Sequence, residues 1–221
     1  SNNKSLVVAN PNFNADLKFN SLRKNELDSI SNNRSGDLTN ISWGNLPGTL
    51  KEGKIISDLT DANFIEGKLA TPNTIKKINS PKVLHIATHS YYLEDNDVNK
   101  KPENYLNSQK TNNLSKSLIF QRENPLLRSG IVLAGANNPD ADENDDGYLT
   151  ALELTKINWE GTELVVISGC QSGLGKITSG EGVYGLKRAI SVAGANSSLL
   201  SLWKVNDSGT AAFMESFYLK L

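Results

Sequence analysis

Short apolar runs that alternate with helix-like segments are the feature that most restricts what this chain can fold into. The clearest run covers residues 164–167, which are apolar and mostly β-branched, a pattern typical of a buried strand. Runs at residues 5–9, 82–87 and 198–203 have the same character. Strands that alternate with helices pack as a mostly parallel sheet with helices on its faces. The sequence therefore predicts an α/β fold with a mostly parallel central sheet flanked by helices.

Other segments complete this prediction. Residues 14–43 are polar and rich in Asn and Ser, so we expect a surface excursion with little function. Residues 91–117 are expected to form a long loop beside a strand end. In chain order we predict a helix over 46–58 with an apolar stripe of Leu50, Ile55, Ile56 and Leu59, a strand over 63–66, a helix over 71–78 capped by Thr71, a turn and strand over 125–134, and helices over 147–157, 182–192 and 207–219.

Composition excludes several classes of protein. The 221 residues carry a net charge of −1, so no overall attraction to nucleic acid or to an anionic membrane is expected. No apolar run approaches the ~18 residues of a membrane span, and the polar start does not resemble a signal peptide. The single cysteine excludes an internal disulfide, which fits a reducing compartment. We expect a single cytoplasmic domain that needs no cofactor.

That single cysteine, Cys170, directly follows the 164–167 strand and the small residues Ser168 and Gly169. In open α/β sheets, ligands bind beyond the carboxyl ends of the strands, where loops are both held and accessible. A lone cysteine is also often a small buried hydrophobic residue. Two interpretations therefore stay open on this stretch alone: a nucleophile at the strand end, or a packed thiol.

The two histidines favour the first interpretation. His89 follows the 82–87 strand just as Cys170 follows its own strand, and strand-end residues can meet across neighbouring parallel strands. An imidazole beside a thiol removes its proton and later protonates the leaving amine. His85 lies about 13 Å back along the strand at ~3.3 Å per residue. We expect His85 to be a core histidine hydrogen-bonded to backbone. A zinc site made by His85 and His89 is not expected, because it would need helical spacing and further ligands.

Several motifs resemble the CHAT domain, a caspase-like family related to separase. They occur in family order from residue 46 to the end, whereas residues 1–45 match only loosely and the chain stops before the family usually does. The matching segments are LPGTLKEGKII, PKVLHIATHS, NPLLRSGIVLAGAN, DGYLTALEL, ELVVISGCQSG, EGVYGLKR and LSLWKVND.

The resemblance implies a caspase-like three-layer sandwich and a cysteine endopeptidase with His89 as the catalytic histidine and Cys170 as the nucleophile. It also implies that the backbone N–H groups of Ser90 and Cys170 hold the oxyanion. Ser90 stands where the family commonly has glycine; serine keeps the N–H but loses glycine's freedom at positive φ. Fusion to, or binding by, a regulatory helical-repeat or sensor domain is implied as well.

An acidic stretch matches the calcium-loop pattern D-x-[DN]-x-[DN]-G-x5-E at every position. The four possible oxygen ligands are Asp142, Asn144, Asp146 and Glu153, with Gly147 at the turn. The residues before the stretch look like strand and loop rather than an entering helix, and DGYLTALE resembles the CHAT family's own motif. We therefore expect no metal and keep the four residues as a candidate calcium site.

Trp203 and Asp207 follow the strand after the nucleophile, where the resemblance to caspase-like proteases implies substrate binding. Asp207 corresponds in position to an acid that reads a basic P1 residue in separase-like enzymes. It could equally cap a helix, and one residue can do both.

The leading hypothesis is a regulated cysteine endopeptidase with a protein substrate. A non-catalytic interaction domain is the alternative, and a non-protease acyl-transfer enzyme that uses the same two residues ranks third.

Overall fold

The computed structural model describes residues 3–17, 38, 41–93, 126–138, 145–169, 181–201 and 207–221, with backbone alone at 181–183 and 207–208. The strands in these residues are β1 (Leu6–Pro11), β2 (Asn63–Gly67), β3 (Val83–Ala87), β4 (Ser90–Tyr92), β5 (Ser129–Val132), β6 (Tyr148–Thr150), β7 (Leu164–Ser168) and β8 (Ser198–Leu200). The helices are α1 (Pro47–Thr60), α2 (Pro72–Lys76), α3 (Ala151–Leu154), α4 (Glu181–Val192) and α5 (Asp207–Tyr218).

Five strands form the central sheet, in the order β2-β1-β3-β7-β8, and every neighbouring pair is parallel. Side chains of β3 and β7 alternate between its two faces, as the two-residue period of a strand requires. Leu84 and Val165 pack on the side of α4, whereas Val83 and Val166 pack on the side of α1 and α5. All five residues of β3 are buried, because both faces are covered. The predicted α/β three-layer sandwich is confirmed.

Helix α1 confirms the predicted position of a helix but not its buried face. The expected apolar stripe is wrong: Leu59 is exposed, and Ile56 is the only member of that stripe among the helix's buried residues. The helix instead turns small and polar residues toward the sheet, namely Thr49, Glu52, Gly53 and Ser57. Gly53 allows the close approach, since a Cβ there would lie 2.6 Å from the Phe64 ring and 2.7 Å from Ala9.

A second, antiparallel sheet with the order β4-β5-β6 was not predicted. The segment predicted as a loop from residue 91 begins with β4, and its residues 94–117 lie outside the described part. The helix predicted over 147–157 is wrong in its first turn, because Tyr148–Thr150 pairs with β5. Only Ala151–Leu154 is helical, and a capping box between Thr150 and Glu153 starts it there. Thr71 caps α2 as predicted.

The polar segment 14–43 is not a mere surface excursion. Leu38 and Trp43 are buried in one cluster with Phe13, Tyr91 and Tyr148. That cluster lies against the second sheet, and the local polarity of the segment hid its apolar anchors. The expectation of a surface excursion is therefore wrong for Leu38 and Trp43. Among the described residues no helix is both long and apolar enough to cross a membrane.

Candidate active site

His89 lies in the short connection between β3 and β4 and is buried, with 3% of its surface exposed. Two hydrogen bonds tie this connection to β5. Val132 N–H donates to the His89 carbonyl oxygen at 2.9 Å, and the Thr88 hydroxyl donates to the Val132 carbonyl oxygen. The backbone that carries the imidazole is therefore held by the second sheet.

The His89 ring has a defined partner on one nitrogen. Its Nε2 lies 2.7 Å from the carbonyl oxygen of Gly44. A carbonyl oxygen only accepts hydrogen bonds, so Nε2 must carry the proton. In the neutral imidazole, Nδ1 is then the basic nitrogen. This tautomer is the one that can take a proton through Nδ1.

Two aromatic rings contact the same imidazole. The ring centroids of Phe13 and Trp43 lie 5.0 Å and 5.2 Å from that of His89, at interplanar angles of 34° and 38°. Such contacts limit the rotation of the imidazole. Sequence reasoning missed Phe13, Trp43 and Gly44; the available signal was a tryptophan inside an otherwise polar segment, since a large apolar ring is mostly buried on average.

The carboxyl end of β7 lies level with the carboxyl end of β3. Ala87 pairs with Ser168, and the next hydrogen bond of this ladder runs from Thr88 N–H to the Ser168 carbonyl oxygen at 3.0 Å. Gly169 then packs directly on this connection: a Cβ on it would lie 2.9 Å from the Thr88 carbonyl oxygen and 3.1 Å from Ser90 Oγ. Cys170, the next residue, lies outside the described residues.

Ser201 holds the backbone in front of that cysteine. Gly169 N–H donates to Ser201 Oγ at 2.9 Å, and the Ser201 hydroxyl donates to the Gly169 carbonyl oxygen at 2.7 Å. One side chain beyond β8 therefore fixes both polar groups of the residue that precedes Cys170. Sequence reasoning missed Ser201, because nothing local distinguishes it from other serines.

The N–H of Ser90 points away from β5. In the β4–β5 ladder, hydrogen bonds join His89 to Val132 and Leu93 to Arg128. Hydrogen-bonded and non-hydrogen-bonded pairs alternate along an antiparallel ladder, so the Ser90 and Ile131 pair belongs to the second kind. Serine therefore provides at this position a backbone donor that β5 does not use.

Tyr92 lies two residues further along the same strand, on the same side as Ser90. Burial raises the pKa of Tyr92 to about 12, and a hydrogen bond with the Ser90 side chain opposes part of that shift. The phenol therefore stays neutral through the physiological range. It offers a polar but uncharged group beside the connection that carries His89.

His85 is a core histidine, but its partners are side chains rather than the expected backbone. Its Nε2 lies 3.0 Å from Glu52 Oε1 and its Nδ1 lies 3.2 Å from the Tyr218 hydroxyl oxygen. Burial and the nearby charge of Glu52 raise the pKa of Tyr218. The three side chains join β3 to α1 and α5, on the sheet face opposite α4. The prediction of a core histidine inside the strand is therefore confirmed, whereas the prediction of backbone hydrogen-bond partners is wrong.

The candidate calcium ligands are only partly described, since Asp142 and Asn144 lie outside the described residues. Asp146 accepts a hydrogen bond from Tyr148 N–H, and Gly147 adopts a φ of 81° at the turn. Glu153 uses one carboxylate oxygen in the capping box with Thr150 and the other in an ion pair with Lys76 at 2.9 Å. These contacts leave Glu153 poorly suited to the bidentate role of the last calcium-loop position. Within the described ranges, no group of three or more His, Cys, Asp or Glu residues could hold a metal ion.

The structure describes little of the two predicted substrate-binding residues. Trp203 falls in the segment 202–206, and for Asp207 only the backbone is described. Asp207 begins α5, which places it in the first turn of a helix.

Comparison with known proteins assigns the family. The CHAT domain family model matches residues 1–221, including the first 45 residues. Tetratricopeptide repeat protein 28 from human (Homo sapiens) is 26% identical over 186 residues, and the mouse (Mus musculus) protein of the same name is 26% identical over 185. Each match covers 81% of this chain and 7% of the relative, so the chain spans a small fraction of those proteins. No solved structure shows a significant match. The chain belongs to the CHAT domain family, within the caspase-like peptidase superfamily.

Proposed function

We propose that this chain is a cysteine endopeptidase in which Cys170 attacks the scissile carbonyl of a protein substrate and His89 transfers the proton. The observation that carries the proposal is the hydrogen bond between His89 Nε2 and the Gly44 carbonyl oxygen. It selects the tautomer whose Nδ1 is basic, which is the state that a general base requires.

The register of the central sheet supports an approach of the two residues. Ala87 and Ser168 form the last residue pair between β3 and β7. His89 lies two residues after Ala87, and Cys170 lies two residues after Ser168. Gly169 already packs on Thr88 and Ser90, and one residue advances the chain by ~3.8 Å. The short distance between the carboxyl ends of β3 and β7 is therefore compatible with a hydrogen bond between the Cys170 thiol and the His89 imidazole.

The chemistry follows in two halves. The Cys170 thiol proton passes to His89 Nδ1 as the sulfur bonds to the carbonyl carbon, and the N–H groups of Ser90 and Cys170 stabilise the oxyanion. The proton on His89 then passes to the leaving amine as the C–N bond breaks, leaving a thioester. Water hydrolyses the thioester, His89 accepts its proton, and the thiol is restored.

Substrate binding is proposed for the segment that joins β8 to α5. Trp203 would contact the substrate, and Asp207 would attract a basic P1 side chain, aided by the exposed backbone at the edge of the sheet. The similarity to tetratricopeptide repeat protein 28 supports control of the peptidase by an attached or associated helical-repeat domain.

Thiol alkylation tests the pair without a known substrate. Cys170 is the only cysteine, so the rate of iodoacetamide labelling reports on it alone. A thiol paired with an imidazole has more thiolate at neutral pH than a free thiol with its pKa of ~8.5. His89→Gln should therefore slow labelling at pH 7, whereas His85→Gln, the same change at the other histidine, should not. Equal rates for wild type and His89→Gln would contradict the pairing.

Peptide cleavage tests the activity itself. The full-length protein, incubated with a fluorogenic peptide library, should release fluorophore, and Cys170→Ala or His89→Ala should abolish the release. Cleavage that persists in either variant would overturn the proposal. Normal His89-dependent alkylation together with no cleavage by any preparation would favour the alternative, a non-catalytic interaction domain.

A further inference from the structure

The segment that carries Gly44 lies outside any helix or strand, so something else must hold its carbonyl oxygen on His89. Residues 41–46 precede α1 as irregular backbone. The Asn137 side chain forms hydrogen bonds with both backbone polar groups of Trp43, which belongs to this segment. Trp43 N–H donates to Asn137 Oδ1 at 2.8 Å, and Asn137 Nδ2 donates to the Trp43 carbonyl oxygen at 2.9 Å. The Asn137 amide therefore supplies the hydrogen bonds that a neighbouring strand would otherwise make with the Trp43 backbone.

The same residue also holds the other ring beside His89. Asn137 N–H donates to the Phe13 carbonyl oxygen at 2.9 Å, and its second amide hydrogen is directed to Asn14 Oδ1 at 2.9 Å. Phe13 and Trp43 are the two aromatic neighbours of the imidazole. Asn137 thus connects both of them to the turn that follows β5, the strand that also binds the His89 backbone.

We propose that Asn137 is a positioning residue that holds the Trp43–Gly44 backbone so that the Gly44 carbonyl oxygen keeps His89 in the tautomer protonated on Nε2. This inference rests on the proposed function. It adds a residue that acts on His89 through the peptide between Trp43 and Gly44.

The chemistry of the contacts explains why this position needs asparagine. The Asn137 side chain accepts one hydrogen bond and donates two, and only a side-chain amide combines an acceptor oxygen with two donor hydrogens. Asn137→Asp keeps the shape and the acceptor but places a carboxylate oxygen against the Trp43 carbonyl oxygen and Asn14 Oδ1. Asn137→Ala removes all three side-chain bonds while its backbone N–H can still bind Phe13.

Nitrogen-15 NMR of the imidazoles tests the inference without catalysis. The chain has two histidines, so the spectrum contains two rings, and His85, held by Glu52 and Tyr218, serves as an internal reference for the fold. In a Cys170→Ala background, His89 should show the tautomer protonated on Nε2. Asn137→Asp and Asn137→Ala should shift His89 toward a mixture of tautomers and leave the His85 signals unchanged. An unchanged His89 tautomer in both folded variants would overturn the inference.

Kinetics on the full-length protein provide the second readout. Loss of the correct tautomer lowers kcat without weakening substrate binding, so both Asn137 variants should lose about tenfold or more in kcat with KM nearly constant. Asn79→Asp makes the same chemical change at an exposed residue near the opposite end of β3 and should behave as wild type. A change confined to KM, or no change, would overturn the inference. A wild type that cleaves nothing would refute the proposed function, whereas the NMR result would still decide the role of Asn137.

Discussion

Gly169 lies so close to Thr88 that a Cβ on it would stand 2.9 Å from the Thr88 carbonyl oxygen. The backbone that carries this oxygen is held by hydrogen bonds to both sheets. Moving it away from a Cβ at Gly169 would therefore cost free energy. Gly169→Ala should therefore displace the residue before Cys170, and we expect peptide cleavage to fall by at least about tenfold, since a 1 Å misplacement in an active site can cost 100-fold.

The control for Gly169→Ala is Gly209→Ala. Outside its own helical turn, no heavy atom of the described residues lies within 4 Å of the position of a Cβ at Gly209. That substitution should preserve both the circular dichroism spectrum and the cleavage rate. Wild-type cleavage by Gly169→Ala would show that the contact with the connection after β3 does not set the position of the thiol.

The indole of Trp43 has a buried polar partner whose removal should be measurable. Trp43 Nε1–H donates to the Tyr148 hydroxyl oxygen at 2.8 Å. Tyr148→Phe leaves this donor buried and unpaired, which should lower the free energy of unfolding by about 1–3 kcal/mol. Urea denaturation measures the loss. In the background of Trp43→Phe, which has no donor, Tyr148→Phe should cost clearly less, and equal costs in both backgrounds would contradict the pairing.

Removal of one partner from the buried pair of Glu52 and His85 should strongly destabilise the fold. Glu52 is 2% exposed and His85 is fully buried, so neither can turn to water when its partner is lost. We expect Glu52→Ala to cost about 3 kcal/mol or more, and Glu52→Gln, which keeps an acceptor, to cost less. Urea midpoints test this order, with the exposed Glu66→Ala as the control. A Glu52→Ala variant as stable as Glu66→Ala would contradict the expectation.

Alkaline pH should destabilise the fold through buried phenols. Because burial raises the pKa of Tyr92 from 10.0 to about 12, the unfolded chain loses this proton first. The stability that Tyr92 contributes is therefore fully present below pH 10 and is lost as the pH rises toward 12, by about 1.4 kcal/mol per pH unit at most. The pKa of Tyr218 is raised as well, so it acts in the same direction.

The variant Tyr92→Phe should reduce the slope of unfolding free energy against pH between 10 and 12. Tyr184→Phe, a change at an exposed ring, should leave the slope unchanged. A wild-type slope in Tyr92→Phe would show that this phenol does not carry the effect.

Calcium should not stabilise the chain. Both carboxylate oxygens of Glu153 already bind other groups, Thr150 and Lys76. A cation would have to displace these contacts before it could use Glu153. We expect the same melting temperature with calcium chloride as with EDTA; a saturable rise with calcium would contradict this, because a ligand that binds only the folded state raises stability.

Sequence patterns alone predicted the strands of the central sheet, their mostly parallel arrangement and the positions of His89 and Cys170 just after two of those strands, but not the second sheet. These features depend on local patterns, namely β-branched apolar runs and the residues that stop them, which neighbours in sequence decide. The bounds of α1, α4 and α5 were predicted closely for the same reason, as was Thr71 as the cap of α2, whereas the start of α3 was not.

The surroundings of His89 depend on contacts between segments that are distant in the sequence. The Gly44 carbonyl oxygen, the Trp43 and Phe13 rings, and the Asn137 amide come from distant segments, with 94 residues between Trp43 and Asn137 alone, and backbone groups carry no sequence signal. The polar face of α1 was equally hidden, because Glu52 is buried only through its pairing with His85 in a neighbouring layer. A local pattern predicts where a strand ends, but which atoms meet there depends on how distant segments pack.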